Sequence, residues 1–175
     1  SQVYNIPGNI SSFILSWMLL CLPLVYIMRS SIASLLYLIG ITYYAVETGY
    51  GYNASNQSYL FWPLLMLILP HYYLLYKHKP RSNFMLLNNW FIPISLVITL
   101  GTLSKGMDEI MFIAYSSLFG VLYLIGESTF FTQQLARNSG FRLIGSLGTV
   151  GLLMGLSFEV FWEELLSLSF PFEEV

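Results

Sequence analysis

Six long apolar runs separated by short polar segments constrain this chain more than any other feature. Hydrophobic residues make up 56% of its 175 residues and charged residues only 9%, whereas a soluble domain carries about 25% charged residues. A soluble fold of this length cannot bury so much apolar surface, so the lipid bilayer is the expected partner. The sequence predicts an all-α fold, a polytopic transmembrane bundle of about six spanning helices in a single domain. The predicted spans are residues 11–28, 31–47, 59–76, 84–103, 109–125 and 141–161.

The first two runs are separated by Arg29 and Ser30 alone. A single helix over residues 11–47 would extend about 54 Å at about 1.5 Å per residue. That length is nearly twice the roughly 30 Å thickness of the hydrocarbon core of a bilayer. We therefore predict two spans joined by a tight turn at Arg29.

Basic residues fall on one side of the predicted membrane. Six spans place alternate loops on opposite sides, and one set of loops contains six of the seven lysines and arginines, while the other contains only Lys105. Because lysine and arginine are retained on the cytoplasmic side, we expect this set to be cytoplasmic and both ends of the chain to be external. Glu127 is then the only acidic residue on the cytoplasmic side. The six basic residues are Arg29, Lys77, Lys79, Arg81, Arg137 and Arg142.

Four polar residues within or beside the spans are candidate ligand contacts: His71, Asn88, Asn89 and Glu159. His71 follows Pro70 in the third span, and ionisable residues inside membranes commonly face the bundle or a water-filled cavity. A neutral histidine hydrogen-bonded to a neighbour is the alternative that we favour. Asn88 and Asn89 either bond across helices or, as we favour, lie at headgroup level near the cytoplasmic end. Glu159 is either a buried carboxylate or, as we favour, a residue of the external interface.

Small residues repeat along the sixth run at Gly145, Gly148, Gly151 and Gly155. At about 100° per residue they occupy an arc of about 120°. Gly151-x-x-x-Gly155 has the small-xxx-small spacing that lets two helix backbones approach closely in lipid. The stripe packs either against a helix of the same chain, which we favour, or against another subunit. The second alternative predicts a homo-oligomer or a membrane protein partner.

Several function classes have no support in the sequence. A net charge of −2 leaves no basic surface for nucleic acid, and a single cysteine, Cys21, excludes an internal disulfide and a cysteine-rich metal site. Hydrolase, metalloprotease, P-loop and dinucleotide motifs are absent, so we assign no catalytic residue, metal or cofactor. Asn9, Asn53 and Asn56 begin glycosylation tripeptides on the predicted external side, but such tripeptides are common by chance.

Short segments in the first and last spans form a further pattern. They are Gln2-Val3-Tyr4 with Gly8, Trp17, Leu22-Pro23-Leu24, Arg29-Ser30, Leu35-Leu36-Tyr37, Arg142-Leu143-Ile144-Gly145 and Phe161-Trp162. In these residues the chain resembles a prokaryotic family of predicted membrane proteins, domain of unknown function 2157. The resemblance implies a bacterial inner membrane and no particular activity. Because more chain usually flanks this region in that family, and residues 171–175 resemble an interrupted loop, we expect a fragment of a longer protein.

Three functions remain open. We favour a membrane-embedded structural or interaction module, which the glycine stripe and the lack of charge inside the spans support. The alternative is a transporter or channel segment for a small solute, which the intramembrane prolines, His71 and the Asn88-Asn89 pair favour. The third is an enzyme acting on a lipid or lipid-linked substrate, with external carboxylates as its acids and bases. Those carboxylates are Glu159, Glu163 and Glu164.

Reporter fusions test the predicted orientation. We expect a reporter fused within residues 77–83 to be cytoplasmic, because that loop holds the densest group of basic residues, and one fused within residues 47–58 to be external. Paired reporters, one active only inside and one only outside the cell, measure both loops. An external 77–83 loop would contradict the six-span topology.

Overall fold

The computed structural model describes residues 10–50, 56–79, 82–103, 108–128 and 139–157. Two short segments, Asn56–Leu60 and Gly101–Leu103, form 3-10 helices. Within the described ranges there are six α-helices and no strand, which confirms the predicted all-α class. The helices are α1 (Ile10–Ile27), α2 (Ser31–Tyr50), α3 (Phe61–His78), α4 (Asn83–Leu100), α5 (Asp108–Glu127) and α6 (Gly140–Leu156).

Five helical segments are long and apolar enough to cross a membrane, judged by length and composition. They contain α1 to α5, and in α3 and α4 the adjoining 3-10 turns extend the apolar segment. The sixth helix, α6, is apolar but shorter, with 17 residues, close to the lower limit of about 17 residues for a spanning helix. The fold is therefore compatible with a membrane-spanning protein.

The chain divides into two compact units, residues 1–91 and 92–175, and the division falls within α4. In the first unit α1 packs along α2, and α2 packs on α3. Val25 is the only buried residue of α1, and the other apolar side chains of this helix are exposed or half-buried. The buried residues of α2 and α3 recur every three or four positions, as expected for one face of a helix. They are Ser34, Tyr37, Leu38, Ile41, Tyr44, Ala45, Thr48 and Gly49 in α2, and Phe61, Leu64, Leu65, Ile68, His71 and Leu75 in α3.

The turn between α1 and α2 is short and depends on Arg29. Its φ angle of 46° lies in the left-handed region, which costs a residue other than glycine roughly 1–2 kcal/mol. Ser30 then caps α2, because its Oγ accepts a hydrogen bond from the backbone N–H of Ala33 at 3.3 Å. An arginine thus occupies a backbone position where glycine is the unstrained choice.

Two tyrosines connect neighbouring helices of the first unit to the backbone of α3. The Tyr37 hydroxyl of α2 donates to the Leu64 carbonyl oxygen at 2.9 Å, and the Tyr26 hydroxyl of α1 donates to the Leu67 carbonyl oxygen. The second acceptor lies in the turn before Pro70, which has no N–H and perturbs the preceding carbonyl groups. Neighbouring helices commonly bond backbone groups at such a proline in a membrane.

In the second unit α5 and α6 form an antiparallel pair in close backbone contact. Positions along α6 meet successively earlier positions along α5: Arg142 faces Gly126, whereas Gly145 faces Tyr123 and Phe119. At the end where α5 stops and α6 starts, Arg142 forms an ion pair with Glu127 at 3.3 Å. Both side chains are about half exposed, so solvent screening keeps this pair weak. Backbone packing therefore holds the pair together.

Most helix ends, with the 3-10 turn Gly101–Leu103 counted in α4, lie within one or two residues of the predicted bounds, and the ends of α2 and α6 differ by more. Residues 47–50 were predicted to begin a polar loop, but α2 continues to Tyr50. Thr48 and Gly49 are buried, and the Thr48 hydroxyl donates to the Tyr44 carbonyl oxygen at 2.8 Å, which satisfies the polar group inside the helix. At the other end of the chain α6 stops at Leu156, and the rest of the predicted sixth span, from residue 158, lies outside the described residues.

Substitution of Gly145 by alanine should destabilise the α5–α6 pair. A Cβ atom there would lie 2.6 Å from the Tyr123 nitrogen and 2.9 Å from the Phe119 carbonyl oxygen. Both are backbone atoms, so the helices must separate, at a cost of about 1–3 kcal/mol. Unfolding in detergent micelles measures the loss. Gly120→Ala on α5 is the matched control, because no other described residue lies within 4 Å of the added atom. Equal losses in both variants would contradict the packing argument.

Candidate functional site

His71 lies on the buried face of α3, and the residue is only 6% exposed. Its ring packs edge-on against Tyr26 of α1, with the ring centroids 6.3 Å apart. The Nε2 atom is buried and has no hydrogen-bond partner among the described residues. An unsatisfied buried polar atom costs about 1–3 kcal/mol, so this nitrogen is either a strained structural feature or part of a binding site.

A cavity of about 360 Å³ lies beside His71 at the end of α3. It is bounded by the α1–α2 turn and the last two turns of α3. Its volume is at the lower end of the range for small-molecule pockets, about 300–1,000 Å³. The lining residues are Arg29, Ser31, His71, Leu74, Leu75, His78 and Lys79.

The polar lining of this cavity is rich in cationic and imidazole groups. Arg29 and Lys79 are exposed and make no ion pair with any carboxylate in the described ranges. His78 is fixed by a 2.9 Å hydrogen bond in which its Nδ1 donates to the Leu74 carbonyl oxygen. No acidic side chain is among the described lining residues. Chemically, this arrangement suits the binding of an anion.

Asn88 and Asn89 lie at the start of α4 and are both buried, 3% and 0% exposed. The Tyr72 hydroxyl of α3 donates to Asn89 Oδ1 at 2.6 Å. The Asn88 amide instead donates to the carbonyl oxygen of Phe84 at 2.8 Å, within its own helix. Asn89 is thus the member of the pair that bonds across helices, and neither residue lines the cavity beside His71.

The glycines of α6 occupy two different surroundings. Gly145 meets the backbone of α5, and Gly148 meets the aromatic ring of Phe119. A Cβ atom on Gly151 or Gly155 would meet nothing within 4 Å in the described structure. The first half of the stripe is therefore used within the chain, whereas the second half faces open space.

Several candidates from the sequence lie outside the described residues. These are Glu159, Glu163 and Glu164, the sequons at Asn9 and Asn53, and Arg81 of the basic loop. For Asn56 the backbone alone is described, within the first 3-10 helix. The described residues contain no group of three histidine, cysteine or acidic side chains close enough to hold a metal ion.

Sequence reasoning missed that Arg29 and His78 belong to the surroundings of His71. In the sequence Arg29 acts only as an orientation signal, and His78 lies in the 77–83 loop, beyond the predicted third span. One signal was present: His71 and His78 are seven residues apart on a helix, so both lie on nearly the same face. Nothing in the sequence indicates that the α1–α2 turn lies beside that face.

No protein family model matches the chain, and neither a curated protein nor a solved structure is significantly similar to it. The site must therefore be interpreted from its own geometry.

Replacement of His71 by leucine should stabilise the protein. The substitution removes the unsatisfied Nε2 atom from a face otherwise lined by leucine and isoleucine, and we expect the free energy of unfolding to rise by about 1–3 kcal/mol. Asn89→Leu is the opposing control, because it removes the acceptor of the Tyr72 hydroxyl and should lower stability. Unfolding in micelles measures both. A loss for His71→Leu as large as that for Asn89→Leu would show that His71 has a stabilising bond.

Proposed function

We propose that the chain is a multi-pass protein of a prokaryotic inner membrane, with both ends of this chain external. Five long apolar helices and a shorter sixth support several crossings. The position of six of the seven basic residues in alternate loops supports the orientation. The resemblance to the prokaryotic family of predicted membrane proteins supports the compartment.

Within that membrane we propose a structural or interaction module. Lipid tails are as apolar as leucine, so helices associate through close packing and hydrogen bonds rather than through the hydrophobic effect. The observation that carries the proposal is the glycine stripe of α6. Gly145 and Gly148 pack on α5, while Gly151 and Gly155 continue the same line where no other described residue lies within 4 Å of an added Cβ atom. A helix that already pairs through this stripe has spare small-residue surface for another helix.

Cysteine crosslinking in native membranes tests this module. In a Cys21→Ser background, we expect Gly151→Cys to give an intermolecular crosslink, because a helix docked on the stripe brings another backbone close. Leu153→Cys is the matched control, since residue 153 is exposed and lies about 160° around the helix from residue 151. Monomer alone at position 151, or equal crosslinking at both positions, would contradict the proposal. Mass spectrometry of the product identifies a second copy or a different protein.

A second candidate function has one specific observation in its favour. His71, whose buried Nε2 has no hydrogen-bond partner among the described residues, is one of the residues that line a cavity of about 360 Å³. Such a site favours a segment that binds a small solute, as in a transporter or channel. Loss of uptake of a defined solute on His71→Leu, with the protein still folded, would support this function over assembly alone.

A further inference from the structure

We propose that the cavity bounded by Arg29, His71, His78 and Lys79 binds a phosphate group. Phosphate binding here is separate from the proposed assembly role, because none of the cavity residues belongs to the glycine stripe. The phosphate belongs either to the headgroup of an anionic lipid or to a small soluble phosphate compound. Both present the same tetrahedral, negatively charged oxygens to the site.

Two cations from separate segments meet at the cavity. Arg29 comes from the α1–α2 turn and Lys79 from the residue that follows α3. Neither is neutralised by a carboxylate in the described part of the chain. The carbonyl end of a helix attracts cations, which accounts for basic residues at the end of α3 but not for an arginine brought to the same cavity from another turn.

Arg29 is held in a backbone conformation that glycine would adopt without strain. Natural proteins keep such strained positions mainly where the side chain has a task. The planar guanidinium of Arg29 suits phosphate binding, because it presents paired N–H donors that match two oxygens of a phosphate.

His71 provides the second, independent indication of a ligand. It lines the cavity, the residue is 94% buried, and its Nε2 has no partner in the described structure. A turn of the imidazole ring toward the cavity would bring this buried nitrogen to a phosphate oxygen, a partner that the described residues do not supply. Leu74 and Leu75 form an apolar wall, which suits the glycerol and first methylene groups of a lipid.

Binding is measured on the full chain in dodecyl maltoside, a detergent without phosphate. The probes are inorganic phosphate, glycerol 3-phosphate and dioctanoyl phosphatidic acid, with dioctanoylglycerol as the same lipid lacking the phosphate. Native mass spectrometry gives stoichiometry, and titration of the unfolding temperature gives affinity. We expect one dioctanoyl phosphatidic acid per chain and no specific binding of dioctanoylglycerol. Competition by the two soluble probes at similar concentrations would identify a soluble ligand, and its absence would identify a lipid.

Substitutions distinguish a specific phosphate site from nonspecific attraction between charges. We expect Lys79→Gln and Arg29→Gly to weaken binding by about tenfold or more, the size of a lost charge-assisted hydrogen bond. Lys77→Gln removes the same charge from the same helix end without lining the cavity, and should change affinity by less than about twofold. Arg29→Gly also relieves backbone strain, so its folded state should be at least as stable as the wild type. His71→Leu should weaken binding by about 2–10-fold while stabilising the free protein.

Three results would overturn the proposal. The first is that no phosphate probe binds the wild-type chain. The second is that dioctanoylglycerol binds as tightly as dioctanoyl phosphatidic acid, which would make the cavity an apolar lipid site. The third is that Lys77→Gln weakens binding as much as Lys79→Gln, which would leave only diffuse attraction to a basic surface.

Discussion

Both units depend on contacts made to the backbones of their helices. These apolar helices are compatible with a bilayer, in which no hydrophobic drive acts between helices, and there close packing or hydrogen bonds must hold each pair. The two units use different solutions. In the first, tyrosine hydroxyls of α1 and α2 donate to carbonyl oxygens of α3. In the second, glycines let α5 and α6 meet at the backbone itself. Both solutions explain why small and aromatic residues, rather than charged ones, recur on the helix faces.

The two kinds of helix contact differ in how well the sequence predicts them. A glycine stripe is visible in the sequence, because its spacing and the helical period define one face. A tyrosine that donates to the backbone of another helix has no such signature. Tyr26 and Leu67 are far apart in sequence, and the carbonyl oxygen of a residue next to Leu67 could accept the hydrogen bond equally well. Side chain–backbone contacts of this kind are therefore recognised only in the structure, because the backbone carbonyl acceptor is the same in every residue.

The helical class was predictable because apolar runs of this length have one stable form in a bilayer, where every backbone group must be bonded internally. The helix ends were less predictable. The polar residues Glu47 and Thr48 suggested a loop, yet Thr48 satisfies its own hydroxyl on the helix and is buried. The cavity was least predictable, because it joins residues from a turn and from the end of α3. Periodicity relates His71 to His78, but only the tertiary fold brings Arg29 to them.

Two departures from ordinary folding rules meet in that cavity. Arg29 occupies a left-handed backbone position, and His71 carries a buried nitrogen without a partner in the described chain. A sequence shaped for stability alone would place glycine at the first position and an apolar residue at the second. Such conflicts between local preference and fold are expected mainly at functional sites. Their coincidence at one cavity, which also gathers the cationic side chains Arg29 and Lys79, argues that the first unit is built around a ligand as well as around its helix contacts.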